Sequence, residues 1–380
     1  MASESPTKYS EIVAEDLNKL FDAGDEAEVD VVFVHGLRGH PKSTWEMLDP
    51  TDPTESIFWP KDLLPETIKA SRIFSFGYPT DFATFYPIVT PESIAHTTID
   101  NHSSSLILKL ANERRDTNTS SRPIIFVAHS LGGLVVANAL ANHYGSDVQG
   151  EEVVEHTCGA IFLGTPFKGS DKAMWAKMAK KVLGMFGDST DQTIRDLDKR
   201  STKLQQISID FHLLLQKRYA SKDQKPIQVA CFFEQKTTRK TWWKAKSDLG
   251  QIVTADSATL TGFNPIGISA DHITMCKFPD VQTPGYKDVT GKIKLMISNL
   301  NKPTEELNKG GQTVITFGEF KAGDNNVNMG GYVMGHVVGT TKEAVNFTLA
   351  NNWGGSSSSS SPLETAIAEQ KKRNQESEGH

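Results

Sequence analysis

Cysteine is scarce in this chain. Its 380 residues hold three, Cys158, Cys231 and Cys276, an odd number at wide spacing, which excludes a disulfide framework of the small secreted kind. Cys158 and Cys231 fall in strand-like apolar runs, so they read as buried thiols in a reducing compartment. Cofactor signatures are missing too. There is no C-x-x-C pair, no H-E-x-x-H, no G-x-x-x-x-G-K-[ST] and no glycine-rich dinucleotide fingerprint, so no metal or organic cofactor is expected. Positive charge is not in excess: 40 Lys and Arg against 46 Asp and Glu leave a net charge of -6, and nucleic acid is not an expected partner. The opening MASESPTKYSEIVAEDL has no basic segment leading into an apolar one, so a secretory signal is not expected and a cytoplasmic location is. One uncharged run, residues 123–140, is long enough to suggest a membrane helix. Its internal His129-Ser130 and Gly132-Gly133 divide it instead into a buried strand, a turn and a buried helix.

What is present suits a soluble globular protein, with 38% hydrophobic and 23% charged residues. The length allows one large core and a smaller appendage. Apolar, β-branched runs at 31–35 (VVFVH), 72–78 (RIFSFGY), 124–128 (IIFVA), 160–163 (AIFL), 227–233 (IQVACFF) and 263–268 predict strands. Between them, residues 93–114 and 131–143 carry apolar positions at helical spacing. Such alternation predicts a mostly parallel, doubly wound sheet with helices on both faces. Ligands then bind beyond the carboxyl ends of the strands.

Each chemical motif falls just after one of these strands. Ala128-His129-Ser130-Leu131-Gly132 is a variant of G-x-S-x-G, set between a strand and a helix as that motif requires. A sharp strand-to-helix turn lifts the serine hydroxyl into the site, so the positions two before and two after it must be small. Ala128 and Gly132 meet that demand. Ser130 is therefore the candidate nucleophile of an α/β-hydrolase fold. A serine hydroxyl needs a base, and in this fold the chain order is serine, acid, histidine. His272, in Ser269-Ala270-Asp271-His272, follows the last predicted strand and is the candidate base. Glu234, which ends IQVACFFE, is the favoured acid; Asp248 is the alternative, with Asp256 further along the same loop. For the oxyanion, the backbone N–H groups of Leu131 and of Leu37, in His35-Gly36-Leu37-Arg38-Gly39, are the candidate donors. The His35 side chain reads as structural.

Residues 168–220 interrupt the alternation with helix-like sequence. Met174, Met178, Val182 and Met185 follow helical spacing, with Trp175 and Phe186 beside them and Lys172, Lys177, Lys180 and Lys181 in the same stretch. A cap packing on the sheet is expected here. A lid over an acyl pocket and a basic face for peripheral membrane contact are the other readings. The hydrolase domain is placed at 25–300, after an N-terminal extension over 1–24. Residues 301–353 turn Gly- and Asn-rich, and 354–380 are a Ser-rich linker and a charged tail.

VVFVHGLRGHPKSTW, VAHSLGG, FLGTPFKGS and ADHITMCKF, four blocks in order, resemble the lipase-like hydrolase domains related to GPI-inositol deacylases and serine-active-site-containing proteins. Versions found in fungi, including the N-terminal parts of NOD-like receptors, are the most similar. The resemblance covers residues 25–300 and implies Ser130, His272 and Glu234 as the catalytic set. Phe167 departs from the histidine that many lipases carry in G-T-P-H. The segment GGQTVITFGEFKAGDNNVNMGGYVMGHVVG resembles the C-terminal prion-forming motif of fungal SesB proteins. That resemblance implies amyloid signalling in programmed cell death or incompatibility, with a NOD-like receptor bearing a matching motif as partner. The residues are compatible with it. Asn325, Asn326 and Asn328 are suited to side-chain ladders, Val314, Ile315, Val327, Val333 and Val337 to strands, and proline is absent from 310–353. Self-association through 310–353 and an ester or lipid substrate complete the expectations. A signalling protein in which hydrolysis is secondary or absent is the alternative.

Overall fold

In the computed structural model the described residues are 12–52, 54–80, 98–143, 148–167, 181, 191–242, 245–260 and 262–303. The strands among them are β1 (Leu17–Asp22), β2 (Val29–Val34), β3 (Glu46–Leu48), β4 (Ser56–Phe58), β5 (Ser71–Phe76), β6 (Ile124–His129), β7 (Thr157–Leu163), β8 (Gln228–Glu234), β9 (Arg239–Trp242), β10 (Ala245–Asp248) and β11 (Ile266–Ile268). The helices are α1 (Trp59–Asp62), α2 (Leu64–Thr67), α3 (Thr98–Asp116), α4 (Gly132–His143), α5 (Val148–Glu155), α6 (Asp191–Ala220) and α7 (Pro284–Ser298).

Every residue of β2, β5, β6 and β7 is buried. Strands covered on both faces belong inside a parallel sheet flanked by helices, and these do. The sheet runs β1-β5-β2-β6-β7-β8-β11. β1 is antiparallel to β5, and all the other pairs are parallel. Successive side chains take opposite faces. Val32, Val34, Phe126 and Ala128 join the apolar stripes of α3, α4 and the second half of α6 in one core. Val31, Phe33, Ile125 and Val127 meet Trp45, Trp59 and α7 in the other.

The chain steps from β2 outward to β5, then returns past β2 to β6. That reversal opens a crevice beyond the carboxyl ends of β2 and β6. Register sets those ends level: Val34 pairs with Ala128, His129 with Leu163, Leu163 with Phe232, and Glu234 with Ile268. At the amino end of β2, Asp30 is fully buried and holds the Arg72 guanidinium through two bonds of 2.9 Å, with Arg114 on the same carboxylate. Burial of these charges is tolerable because each is paired and hydrogen-bonded.

The expected strands are present with shifted ends, helices occupy the described parts of 93–114 and 131–143, and several features differ. β1 lies within the stretch read as an extension over 1–24, so the sheet begins at Leu17; LNKLFD is an edge strand with a mixed exposure pattern, and its polar residues hide it. The strand expected over 263–268 is confined to Ile266–Ile268, since Pro265 has no N–H to give to a ladder. The hairpins β3–β4 and β9–β10 and the helix α7 were not anticipated. The stripe Tyr286, Val289, Ile293 and Met296 does carry helical spacing in α7. Most of the Met- and Lys-rich part of the expected cap lies outside the described residues. In the remainder, Leu204, Ile207, Phe211, Leu214 and Leu215 of α6 are buried against the sheet.

Candidate active site

The turn around Ser130 is held open by missing side chains. Ser130 has φ of +53°, a left-handed conformation that costs a non-glycine residue about 1–3 kcal/mol and that persists only where the surroundings impose it. They do so through close packing. A Cβ on Gly132 would stand 2.2 Å from the His35 carbonyl oxygen, and one on Gly36 would stand 2.8 Å from the Ser130 Cβ. The Ser130 N–H continues the β6–β7 ladder by donating to the Leu163 carbonyl at 2.8 Å.

From that turn a hydrogen-bonded line runs across the carboxyl edge. The Ser130 Oγ lies 3.0 Å from His272 Nε2, and His272 Nδ1 lies 3.2 Å from Glu234 Oε2. With Nδ1–H donated to the carboxylate, Nε2 is left as the acceptor of the serine proton. All three groups are buried, at 5%, 1% and 0% exposure, which excludes competing water and strengthens each bond. Glu234 is further satisfied by the Val253 N–H, which donates to its Oε1 at 2.7 Å, and Gln251 Nε2 donates to its main-chain carbonyl at 2.9 Å. Asp248, the alternative acid, is elsewhere: it ends β10, is exposed, and its carboxylate accepts from the Thr237 hydroxyl and the Gly250 N–H. The imidazole–carboxylate contact belongs to Glu234.

The two proposed oxyanion donors sit on either side of Gly36. Leu131 N lies 3.3 Å from where a Gly36 Cβ would be, so the loop after β2 rests on the start of α4. Among the described residues neither the Leu37 nor the Leu131 N–H is spent on a backbone carbonyl. The loop is braced by Tyr78, whose hydroxyl donates to the His35 carbonyl at 2.6 Å and whose ring stacks on the His35 ring at 4.5 Å. Burial pushes the His35 imidazole down to about 3, so it stays neutral. Its Nδ1 bonds the Gly36 carbonyl at 3.1 Å, a structural use consistent with its reading from the sequence.

Three contributors had no expected role. Gly164, in FLGTPF, has φ of +60°, and a Cβ there would stand 2.9 Å from His272 Cε1; this glycine makes room for the imidazole. The His129 Nε2 bonds the His272 carbonyl at 2.8 Å, and the Thr238 hydroxyl accepts the His272 N–H at 3.3 Å. Gly164 and His129 stand inside the quoted motifs, but the contacts they make are with a residue over a hundred positions away. Phe167, the departure in G-T-P-H, is buried against Phe162 and Phe211. No helix among the described residues is long and apolar enough to cross a membrane.

A mostly parallel sheet with a left-handed serine turn after β6 and an acid and a histidine after its later strands defines the α/β-hydrolase fold. No family model matches the chain. It is similar to the protein SERAC1 of Bos taurus, 28% identical over 282 residues that make up 72% of this chain and 39% of that protein. SERAC1 of Danio rerio is 26% identical over 273 residues, 68% of this chain and 38% of its own. The chain thus spans between 36% and 39% of the length of the curated relatives it matches. Among solved structures, one from the work on two fungal esterases of Rhizomucor miehei is 11% identical with a TM-score of 0.40, over 78% of this chain and 87% of its own. The lipase BlEst2 of Bacillus licheniformis is 16% identical with a TM-score of 0.38, over 74% and 97% respectively. The fold assignment rests on the strand order and the serine turn.

Proposed function

We propose that the chain is a serine hydrolase that cleaves carboxylic esters, lipid esters included, with Ser130 as nucleophile, His272 as base and Glu234 as acid. The observation that carries this is the continuous line from Ser130 Oγ to His272 Nε2 at 3.0 Å and from His272 Nδ1 to Glu234 Oε2 at 3.2 Å. In the acylation step Oγ attacks the ester carbonyl and its proton passes to Nε2. The negative charge on the carbonyl oxygen is met by the Leu37 and Leu131 N–H groups. His272 then returns the proton to the departing alcohol, and a water activated by the same imidazole releases the acid and restores Ser130. Glu234 holds the tautomer and balances the imidazolium. A fluorophosphonate probe is expected to label the full chain and to spare Ser130→Ala. Equal labelling of the two would refute the assignment.

The finer reading concerns control. Residues 310–353 lie outside the described residues, and the proposal that they template amyloid rests on their sequence: Asn and Gly enrichment, β-branched positions and no proline. On that reading the hydrolase is an effector in fungal programmed cell death or incompatibility, engaged by a receptor with a matching motif. A peptide of residues 310–353 is expected to form thioflavin-positive fibres that seed fresh peptide; peptide that stays monomeric under seeding would overturn it. The fully paired triad geometry favours an active enzyme over a scaffold in which hydrolysis is absent.

A further inference from the structure

We propose that His129 is a positioning residue that ties the base to the nucleophile turn by donating its Nε2–H to the main-chain carbonyl of His272. This rests on the hydrolase reading above. His272 stands four residues past the end of β11 and two past Ala270, whose carbonyl accepts the Lys236 N–H at 3.0 Å, yet its ring must keep a bond of 3.0 Å to Ser130. Loops carry function only where a rigid element fixes them, and catalytic groups tolerate displacements of about 0.5 Å. His129 supplies that element. It is the last residue of β6 and the immediate neighbour of Ser130. Its Nε2 lies 2.8 Å from the His272 carbonyl oxygen, and the two rings are 5.0 Å apart.

A carbonyl oxygen can only accept, so Nε2 carries the hydrogen and the tautomer of His129 is settled by its partner. Burial pushes this imidazole down to about 3, so the donor stays neutral and keeps a single tautomer. The Trp45 ring packs edge-on against it at 6.4 Å. On the other side of His272, Thr238 Oγ accepts its N–H at 3.3 Å. The main chain of the base is therefore gripped at both its carbonyl and its N–H by side chains from β6 and from the turn after β8. Any shift of the His272 loop must break the bond to the residue covalently attached to the nucleophile.

The test compares His129→Leu with His129→Gln in the full chain. Gln places its amide N–H at about the reach of an imidazole Nε2 and so restores the donor. Hydrolysis of a short-chain p-nitrophenyl ester, the rate of fluorophosphonate labelling and the melting temperature are read on each. His129→Leu is expected to lose about 10- to 100-fold in kcat, with KM within about twofold and labelling slowed by the same factor. His129→Gln is expected to recover most of that loss. His129→Met, also without a donor, replaces the leucine variant if the latter does not fold. Wild-type kcat in the leucine or methionine variant, or equal loss in a folded glutamine variant, would overturn the clamp. Failure of the wild type to label would instead overturn the hydrolase reading, so the two failures are distinguishable.

Discussion

Gly164→Ala is the sharpest single perturbation of this site, because its effect divides into two parts that can be measured apart. The backbone part comes from φ of +60°. An L-residue with a Cβ pays about 1–2 kcal/mol in the left-handed region, which for a domain of this size lowers the melting temperature by about 2–4 °C per kcal/mol. The second part is contact. The new methyl would lie 2.9 Å from His272 Cε1, 3.0 Å from His272 Nδ1 and 3.0 Å from Met275 Sδ, whereas carbon atoms rest at about 3.5–4.0 Å. The imidazole must therefore retreat by about 0.5–1 Å, enough to stretch its 3.0 Å bond to Ser130 beyond useful length. A misplacement of that order costs up to about 100-fold in rate. Gly24→Ala is the control: φ there is +63°, but nothing lies within 4 Å of the added Cβ. Thermal melts and ester hydrolysis are measured on both variants. Gly24→Ala is expected to lose stability alone, and Gly164→Ala to lose stability and about two decades of kcat. A Gly164→Ala enzyme with wild-type kcat would refute the claim that this glycine exists to seat the base.

Glu234→Gln should lower kcat by about 10²–10⁴-fold, since the amide cannot balance the imidazolium, while Asp248→Asn should stay within about twofold; steady-state kinetics on the pair decide between the two acids. Asp30→Ala strands the buried Arg72 and Arg114 guanidinium groups and should cost about 3–5 kcal/mol in urea unfolding, with kcat of the folded fraction unchanged. Burial depresses His35 and His129 to about 3 and His102 and His212 to about 4, so the unfolded chain binds the extra protons. Their contribution is thus complete above the unfolded histidine value of about 6.5 and is lost as pH falls from there toward 3–4. Urea midpoints should drop steadily between pH 7 and pH 5, and a flat profile would contradict the buried neutral assignment. Tyr78→Phe removes the hydroxyl that braces the His35 carbonyl and should reduce kcat about 10-fold with little change in KM.

What the sequence makes legible is local. The elbow around Ser130 is written in five consecutive residues between a strand and a helix, and the structure adds its φ of +53° and the close packing that imposes it. Glu234 is legible as the acidic end of a β-branched run, and His272 as a histidine after the last strand. The pairing of Glu234 rather than Asp248 with that histidine is not local. It depends on β8 and β11 lying side by side, with Glu234 opposite Ile268, and on the hairpin β9–β10 carrying Asp248 away. The edge strand β1 escapes notice for a different reason: its two faces are both partly exposed, so period-2 alternation has little to act on.

The same distinction explains why the residues that hold the base were invisible. A nucleophile turn must satisfy the steric demands of its own neighbours, so small residues appear at fixed offsets and form a motif. A base on a loop has no such demand on adjacent positions. Its constraints come from whatever strands the sheet brings level with it, here β6 through His129, the residue after β7 through Gly164, and the turn after β8 through Thr238. Each of these lies at or within four residues beyond the carboxyl end of a different strand, and the order of strands, not the order of residues, gathers them around one imidazole. Substitutions at these three points should therefore couple to one another and to Ser130. If the kcat losses of His129→Leu and Thr238→Val simply multiply in the double variant, the two bonds act independently. A double-variant loss smaller than that product, measured with each protein folded, is what a shared hold on His272 requires.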